Sequence, residues 1–229
     1  YWNLDGGNNQ LFESEIELMP EDENNLNGMQ FQSVSTHLKT ENEAKRVSKE
    51  CDFNFVSPYN DLDIISGQGT IGVEILEDNN DIDVVFITVG GGGLISGVAS
   101  HLKSKNPKIQ VIGCSPKNSS IMINSLNEGK IVNSESKDTL SDGSAGGVEE
   151  GSITFDICNQ LIDDYCLVSE DEIALQIKNS LNMDNMIIEG SAAVAIASAI
   201  KMKFQLHNKN VAIVICGGNI GKDTLNKIL

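Results

Sequence analysis

The stretch from Val84 to Gly97, VVFITVGGGGLISG, constrains this chain more than any other. Val84, Val85, Phe86, Ile87 and Val89 form a short apolar run rich in β-branched side chains, which predicts a strand covered on both faces. Gly90 to Gly93 lack a Cβ, so their backbone can turn sharply and turn several N–H groups toward one anion. Leu94, Ile95, Val98 and Leu102 then repeat at helical spacing. A strand, a glycine nest and a helix N-terminus in that order make an anion site, and a phosphate is the natural occupant. The simpler alternative is a tight turn with no ligand.

Spacing narrows the choice. A dinucleotide fingerprint needs glycine at the first, third and sixth places, and Ile95 or Ser96 stands at the sixth. The turn is therefore not an ordinary Rossmann phosphate loop. A net charge of -17 would repel nucleic acid and anionic lipid, so neither is an expected partner. It leaves a local anion site possible, because amides act over a few ångströms while remote charge is screened. No apolar run approaches the ~20 residues that cross a bilayer, and the first residues lack the pattern of a signal peptide. Cys51, Cys114, Cys158, Cys166 and Cys216 are widely spaced, which argues for reduced thiols and a cytoplasmic protein. The chain opens on Tyr1, as a piece of a longer product would.

Residues 1–35 are acidic and asparagine-rich, with little periodicity, and are expected to be loop or disordered chain. Thr40 and Glu43 have capping-box spacing and predict a helix over about 40–50, followed by a short strand at Phe53 to Val56 and a turn at 57–61. Helices are expected over about 65–77, from Leu94 to Lys103, and over 119–126, 153–162, 170–181 and 192–199. Strands are expected at 109–114 and 165–168, with a further buried strand at 211–215. Residues 133–152 form a long polar connection, of the kind that is usually functional or mobile. This βα alternation predicts an α/β fold with a largely parallel sheet flanked by helices. Ligands in such sheets lie beyond the carboxyl ends of the strands, which puts the turns after Val89 and Ile215 on one edge.

Six stretches then carry a resemblance: SPYND with GQGT at 57–61 and 67–70, GGGGLISG at 90–97, Asp142-Gly143, EGSA at 189–192, and CGGN at 216–219. In this order and at these intervals the chain resembles the fold type II pyridoxal-phosphate enzymes, the threonine/serine dehydratase and serine racemase group, over about residues 40–229. The resemblance implies a tryptophan synthase β-like fold whose N-terminal half is incomplete, with 36–57 a remnant of the smaller domain and 58–229 the larger, cofactor-binding domain. It implies pyridoxal 5'-phosphate held by Gly90, Gly91, Gly92 and Gly93, with Cys216 opposite the pyridine nitrogen and Glu189 and Gly143 beside the ring. Read on their own, Cys216 is equally a small buried packing residue, and Glu189 a helix first-turn carboxylate.

The activity implied is removal of ammonia from L-threonine or L-serine to give a 2-oxo acid, in a possible homo-oligomer. The family's Schiff-base lysine has no counterpart: none precedes Lys39, and Lys39, Lys45 and Lys49 fall on the helical stretch of the small domain, so the catalytic residue is unknown. The family's cation site is also missing, since Ser115-Pro116 replaces acid-proline and no carboxylate lies between Pro116 and Glu128; no metal is expected. The alternatives are a catalytically inactive truncated paralogue, a serine racemase, or a nucleotide-binding protein suggested by Gly221-Lys222 after the last strand.

Overall fold

The computed structural model describes residues 37–229, with side chains from Thr40 onward. Two units divide between Val56 and Ser57. The expectation for residues 1–35, and the side chain of Lys39, lie outside the described residues.

In the first unit, α1 spans His37–Cys51 and starts earlier than the Thr40–Glu43 spacing predicts. Glu43 closes no capping box. It pairs instead with Arg46, which also reaches Glu50 one turn on. The expected strand at Phe53 to Val56 does not form. The helix ends at Asp52 in the left-handed region, φ 57°, and Phe53 donates its amide back to Ser48. A β-prone sequence needs a neighbouring strand to pair with, and this unit supplies none among its described residues.

The second unit is a four-stranded, wholly parallel sheet in the order β3-β2-β1-β4, from β1 (Val84–Thr88), β2 (Gln110–Pro116), β3 (Asp164–Val168) and β4 (Val211–Ile213). β1 lies between β2 and β4, with Val84 opposite Gln110 on one side and Val211 on the other. All five of its residues are buried. Alternation sends Val85 and Ile87 to one face, where they meet Ile95, Val98 and Leu102. It sends Val84 and Phe86 to the opposite face, against Ile173, Ile177 and the alanines at 192–195. Each fully buried large side chain of this kind contributes on the order of 2 kcal/mol.

The first face is covered by α2 (Leu62–Asp78) and α3 (Gly93–Lys105), with α4 (Ile121–Glu128) and α5 (Ile153–Leu161) beside them. α2 starts three residues before its expected boundary, because the Asp61 carboxylate caps the amides of Asp63 and Ile64. α2 and α3 meet backbone to backbone: a Cβ on Gly97 would lie 2.1 Å from the Ile65 carbonyl oxygen and 2.7 Å from the Gly69 nitrogen. Gly69 of GQGT faces the same contact, since a Cβ there would lie 3.3 Å from the Gly97 carbonyl oxygen, whereas Gly67 has open space around it. The second face is covered by α6 (Glu170–Asp184), α7 (Gly190–Lys201) and α8 (Lys222–Ile228).

β4 corrects one expectation. It is a half-buried edge strand of three residues, not a buried strand reaching Ile215, since β1 covers only one of its sides. Val214 still donates to Phe86, and the chain then leaves the sheet with Ile215 exposed. Because β1 and β4 are parallel neighbours, both glycine turns do leave the same edge.

Candidate functional site

β1 delivers the chain into the glycine turn. Val89 still donates to the Cys114 carbonyl of β2, and then the ladder stops. Gly92, at φ 89°, is the N-cap of α3, a left-handed position where glycine avoids the Cβ clash. The turn is gripped closely on two sides. A Cβ on Gly91 would lie 2.5 Å from Tyr59 Cγ, and one on Gly92 would lie 2.9 Å from Met122 Cε and 3.1 Å from Thr154 Cβ. Tyr59 is itself fixed, since its hydroxyl oxygen accepts the Glu149 amide at 3.1 Å and Asn60 accepts the Ile153 amide at 2.9 Å.

Donors and acceptors of this turn are treated differently. The Val89 carbonyl accepts from Ser115 Oγ at 2.9 Å, the Gly91 carbonyl from Thr154 Oγ1 at 2.6 Å, and the Gly92 carbonyl from the Ser96 amide at 3.0 Å. Among the described residues, no acceptor pairs with the N–H groups of Gly90 to Ile95. These consecutive amides stand at the start of a thirteen-residue helix, where its partial positive charge is concentrated. Such a donor set fits a phosphate.

The other expected residues gather around α7. Glu189 precedes Gly190 as N-cap, yet its side chain does not cap the helix. Its Oε2 instead accepts the Asn219 amide at 3.0 Å, and its own amide donates to the Gly217 carbonyl at 3.1 Å. Glu189 is thus clasped to the turn after β4. A Cβ on Gly217 would come 2.4 Å from the Glu189 carboxyl carbon, so only glycine leaves room for it. Burial raises the Glu189 carboxyl above its ordinary value, the Asp142 charge adds to the rise, and the Asn219 amide opposes it.

Gly143 lies in a 3-10 turn, Asp142–Ser144, within the long polar connection. A Cβ there would be 3.0 Å from Ser191 Oγ and 3.3 Å from Glu189 Oε1, which brings Gly143 and Glu189 together. The Gly143 amide is taken by Asp142 at 2.8 Å. The same turn reaches the glycine nest, because a Cβ on Gly90 would meet Ser144 Cα at 3.0 Å.

Cys216 opens the turn after β4 and is exposed, so it is not the buried packing cysteine its surroundings in sequence allow. Even so, desolvation by the surrounding protein pushes its thiol up to about 11, with the Glu189 charge adding to the effect. It is a neutral thiol at pH 7. The carboxylate seated against this turn also repels a nucleotide's phosphates, which disfavours the nucleotide-binding alternative suggested by Gly221-Lys222.

Sequence reading passed over Thr154 and Ser115 as site residues. The signal available was slight: Ser115 is a hydroxyl at the end of an apolar strand, and Thr154 one in the first turn of a helix. Among residues 57–229 no lysine is buried, and none hydrogen-bonds to the residues of this site.

A parallel sheet with helices on both faces, a glycine nest with free amides, and a second glycine turn on the same edge define a class of phosphate-cofactor protein. The profile of the pyridoxal-phosphate dependent enzymes matches residues 22–217, and the chain belongs to that family. It is 42% identical over 186 residues to an L-threonine ammonia-lyase of Thermotoga maritima, covering 81% of this chain and 46% of the relative. It is 39% identical over 176 residues to the catabolic L-threonine dehydratase TdcB of Escherichia coli, covering 76% and 53%. Its structure is similar to the processed form of threonine deaminase isoform 2 from Solanum lycopersicum, with TM-score 0.76, 37% identity and coverage of 82% and 55%. Maize serine racemase gives TM-score 0.76 at 32% identity, covering 84% and 61%. The chain spans about half the length of the curated relatives it matches.

Proposed function

We propose that this chain carries the cofactor-holding part of a pyridoxal 5'-phosphate-dependent ammonia-lyase acting on L-threonine or L-serine. The observation that carries the reading is the glycine turn: the carbonyls of Val89, Gly91 and Gly92 are bonded back into the protein, while the amides of Gly90 to Gly93 have no acceptor among the described residues. Relatives described as L-threonine ammonia-lyase and L-threonine dehydratase support the substrate class. Residues 58–229 form the cofactor-binding domain in this reading, and 36–57 belong to a smaller one.

The amides of Gly90 to Gly93 bind the phosphate through hydrogen bonds to charged oxygens, strengthened by the helix start. Gly143 and Glu189 lie beside the ring. Cys216 offers the pyridine nitrogen a neutral thiol, a weak hydrogen-bonding partner that leaves this nitrogen largely unprotonated. When bound, pyridoxal phosphate supplies a carbonyl that captures the amino group and a ring that draws electrons from the α-carbon. The net reaction removes ammonia and yields the 2-oxo acid.

A second reading is that the chain alone holds the cofactor phosphate without turnover, and it is favoured because no lysine at 57–229 is buried or bonded to the residues of this site. One experiment separates the two. Pyridoxal phosphate is titrated into the full chain with inorganic phosphate as competitor, and 2-oxo acid release from threonine and serine is followed above the rate with free cofactor. Competitive binding with release supports the lyase. Competitive binding without release supports the second reading, and failure to bind defeats both.

A further inference from the structure

Resting on the phosphate-site reading above, we propose that Ser115 and Thr154 are positioning residues: their buried hydroxyls hold two peptide planes of the glycine turn so that the Gly90 and Gly92 amides face the anion. A trans peptide is planar, with its C=O and the next residue's N–H pointing opposite ways. The described chain has no cis peptide bond. Fixing the Val89 carbonyl on Ser115 Oγ, 2.9 Å away, therefore fixes the direction of the Gly90 N–H. Fixing the Gly91 carbonyl on Thr154 Oγ1, 2.6 Å away, does the same for the Gly92 N–H. Both amides then point away from the hydroxyls that anchor their planes.

The hydroxyl protons leave no other assignment. A carbonyl cannot donate, so Ser115 and Thr154 each give their single proton to the turn. Ser152 Oγ lies 2.7 Å from Thr154 Oγ1 and must donate to it, which fixes the threonine rotor in turn. Ser115 and Thr154 are fully buried, so water does not replace either bond. The flanking glycines make the restraint necessary. Gly91 and Gly92 both tolerate wide backbone angles, so the plane between them turns easily once its anchor is removed.

The test uses the full chain with inorganic phosphate as probe, followed by calorimetry and by the amide resonances of the turn. The parent should bind phosphate and shift the Gly90 and Gly92 resonances. Thr154→Val should bind about tenfold more weakly, the effect of losing one buried hydrogen bond, and should lose the Gly92 shift while keeping that of Gly90. Thr154→Ser, which restores the hydroxyl, should return affinity to within about twofold. A merely structural role would lower thermal stability in the valine variant without selecting one amide. If Thr154→Val does not fold, Ser115→Ala decides, with the Gly90 shift as the one lost. Unchanged affinity and shifts in a folded variant, with the parent binding normally, overturn this inference alone. A parent that binds neither phosphate nor pyridoxal phosphate overturns the site reading and this inference with it.

Discussion

Gly91 and Glu189 show how single positions shape the site. Gly91 lies beneath the Tyr59 ring, and an added methyl would come within 2.5 to 2.7 Å of three ring atoms. The ring cannot swing aside without breaking the bond from the Glu149 amide. Gly91→Ala should therefore cost about 1–3 kcal/mol of overpacking strain in urea unfolding and reduce phosphate affinity by more than about tenfold. Glu189 poses an electrostatic question. Its carboxyl is harder to ionise in the folded chain than at its ordinary value of 4.5. The native state therefore keeps this proton to higher pH, and the stability linked to it is present below 4.5 and lost as pH rises through the raised native value. Glutamine does not ionise and still offers an oxygen to Asn219. The melting temperature of Glu189→Gln should lie close to the parent's near pH 4 and rise above it by pH 7. A difference independent of pH would show that the carboxyl titrates normally.

At the level of elements, α6 is where local sequence and structure agree most fully. Ser169 accepts the Glu172 amide at 3.3 Å and Glu172 accepts the Ser169 amide at 2.7 Å, a complete capping box with acidic residues through the first turn. Ser169→Ala should cost about 1 kcal/mol in urea unfolding, and Ser169→Asp should recover most of it. Thr40 and Glu43 have the same spacing and form no box, because α1 begins at His37 and leaves Thr40 inside the helix, and Glu43 pairs with Arg46. Spacing was thus informative only where the helix begins at the capping residue, since Glu172 keeps its box while also pairing with Lys201. β1, the glycine turn and α3 were legible because one buried apolar run and four glycines leave few alternatives. Phe53 to Val56 misled for the opposite reason: β propensity says nothing about whether a second strand is near. The anchors of the site escaped notice for the same cause. Thr154 is 63 residues from Gly91, and Tyr59 is 90 residues from the Glu149 amide that fixes it, so both contacts exist only through the fold.

The charge of the whole chain makes a prediction that separates an amide-built phosphate site from one built on cations. With 33 acidic against 16 basic residues, the protein carries -17 and repels a phosphate dianion at every distance beyond the contact shell. That repulsion is screened by salt, since the Debye length falls from ~30 Å at ~0.01 M to ~8 Å at ~0.15 M. The attraction from the Gly90 to Gly93 amides acts over about 3 Å and is hardly screened. Raising ionic strength over this range should therefore tighten phosphate binding severalfold. Gluconate serves as the added anion, because a single carboxylate charge competes weakly with a phosphate dianion for the same amides. A site relying on lysines or arginines would respond in the opposite sense, losing affinity as its long-range attraction is screened. Calorimetric titration with inorganic phosphate at the two salt concentrations measures the sign directly. Weaker binding at high salt would place the anion against a basic cluster and away from the glycine turn.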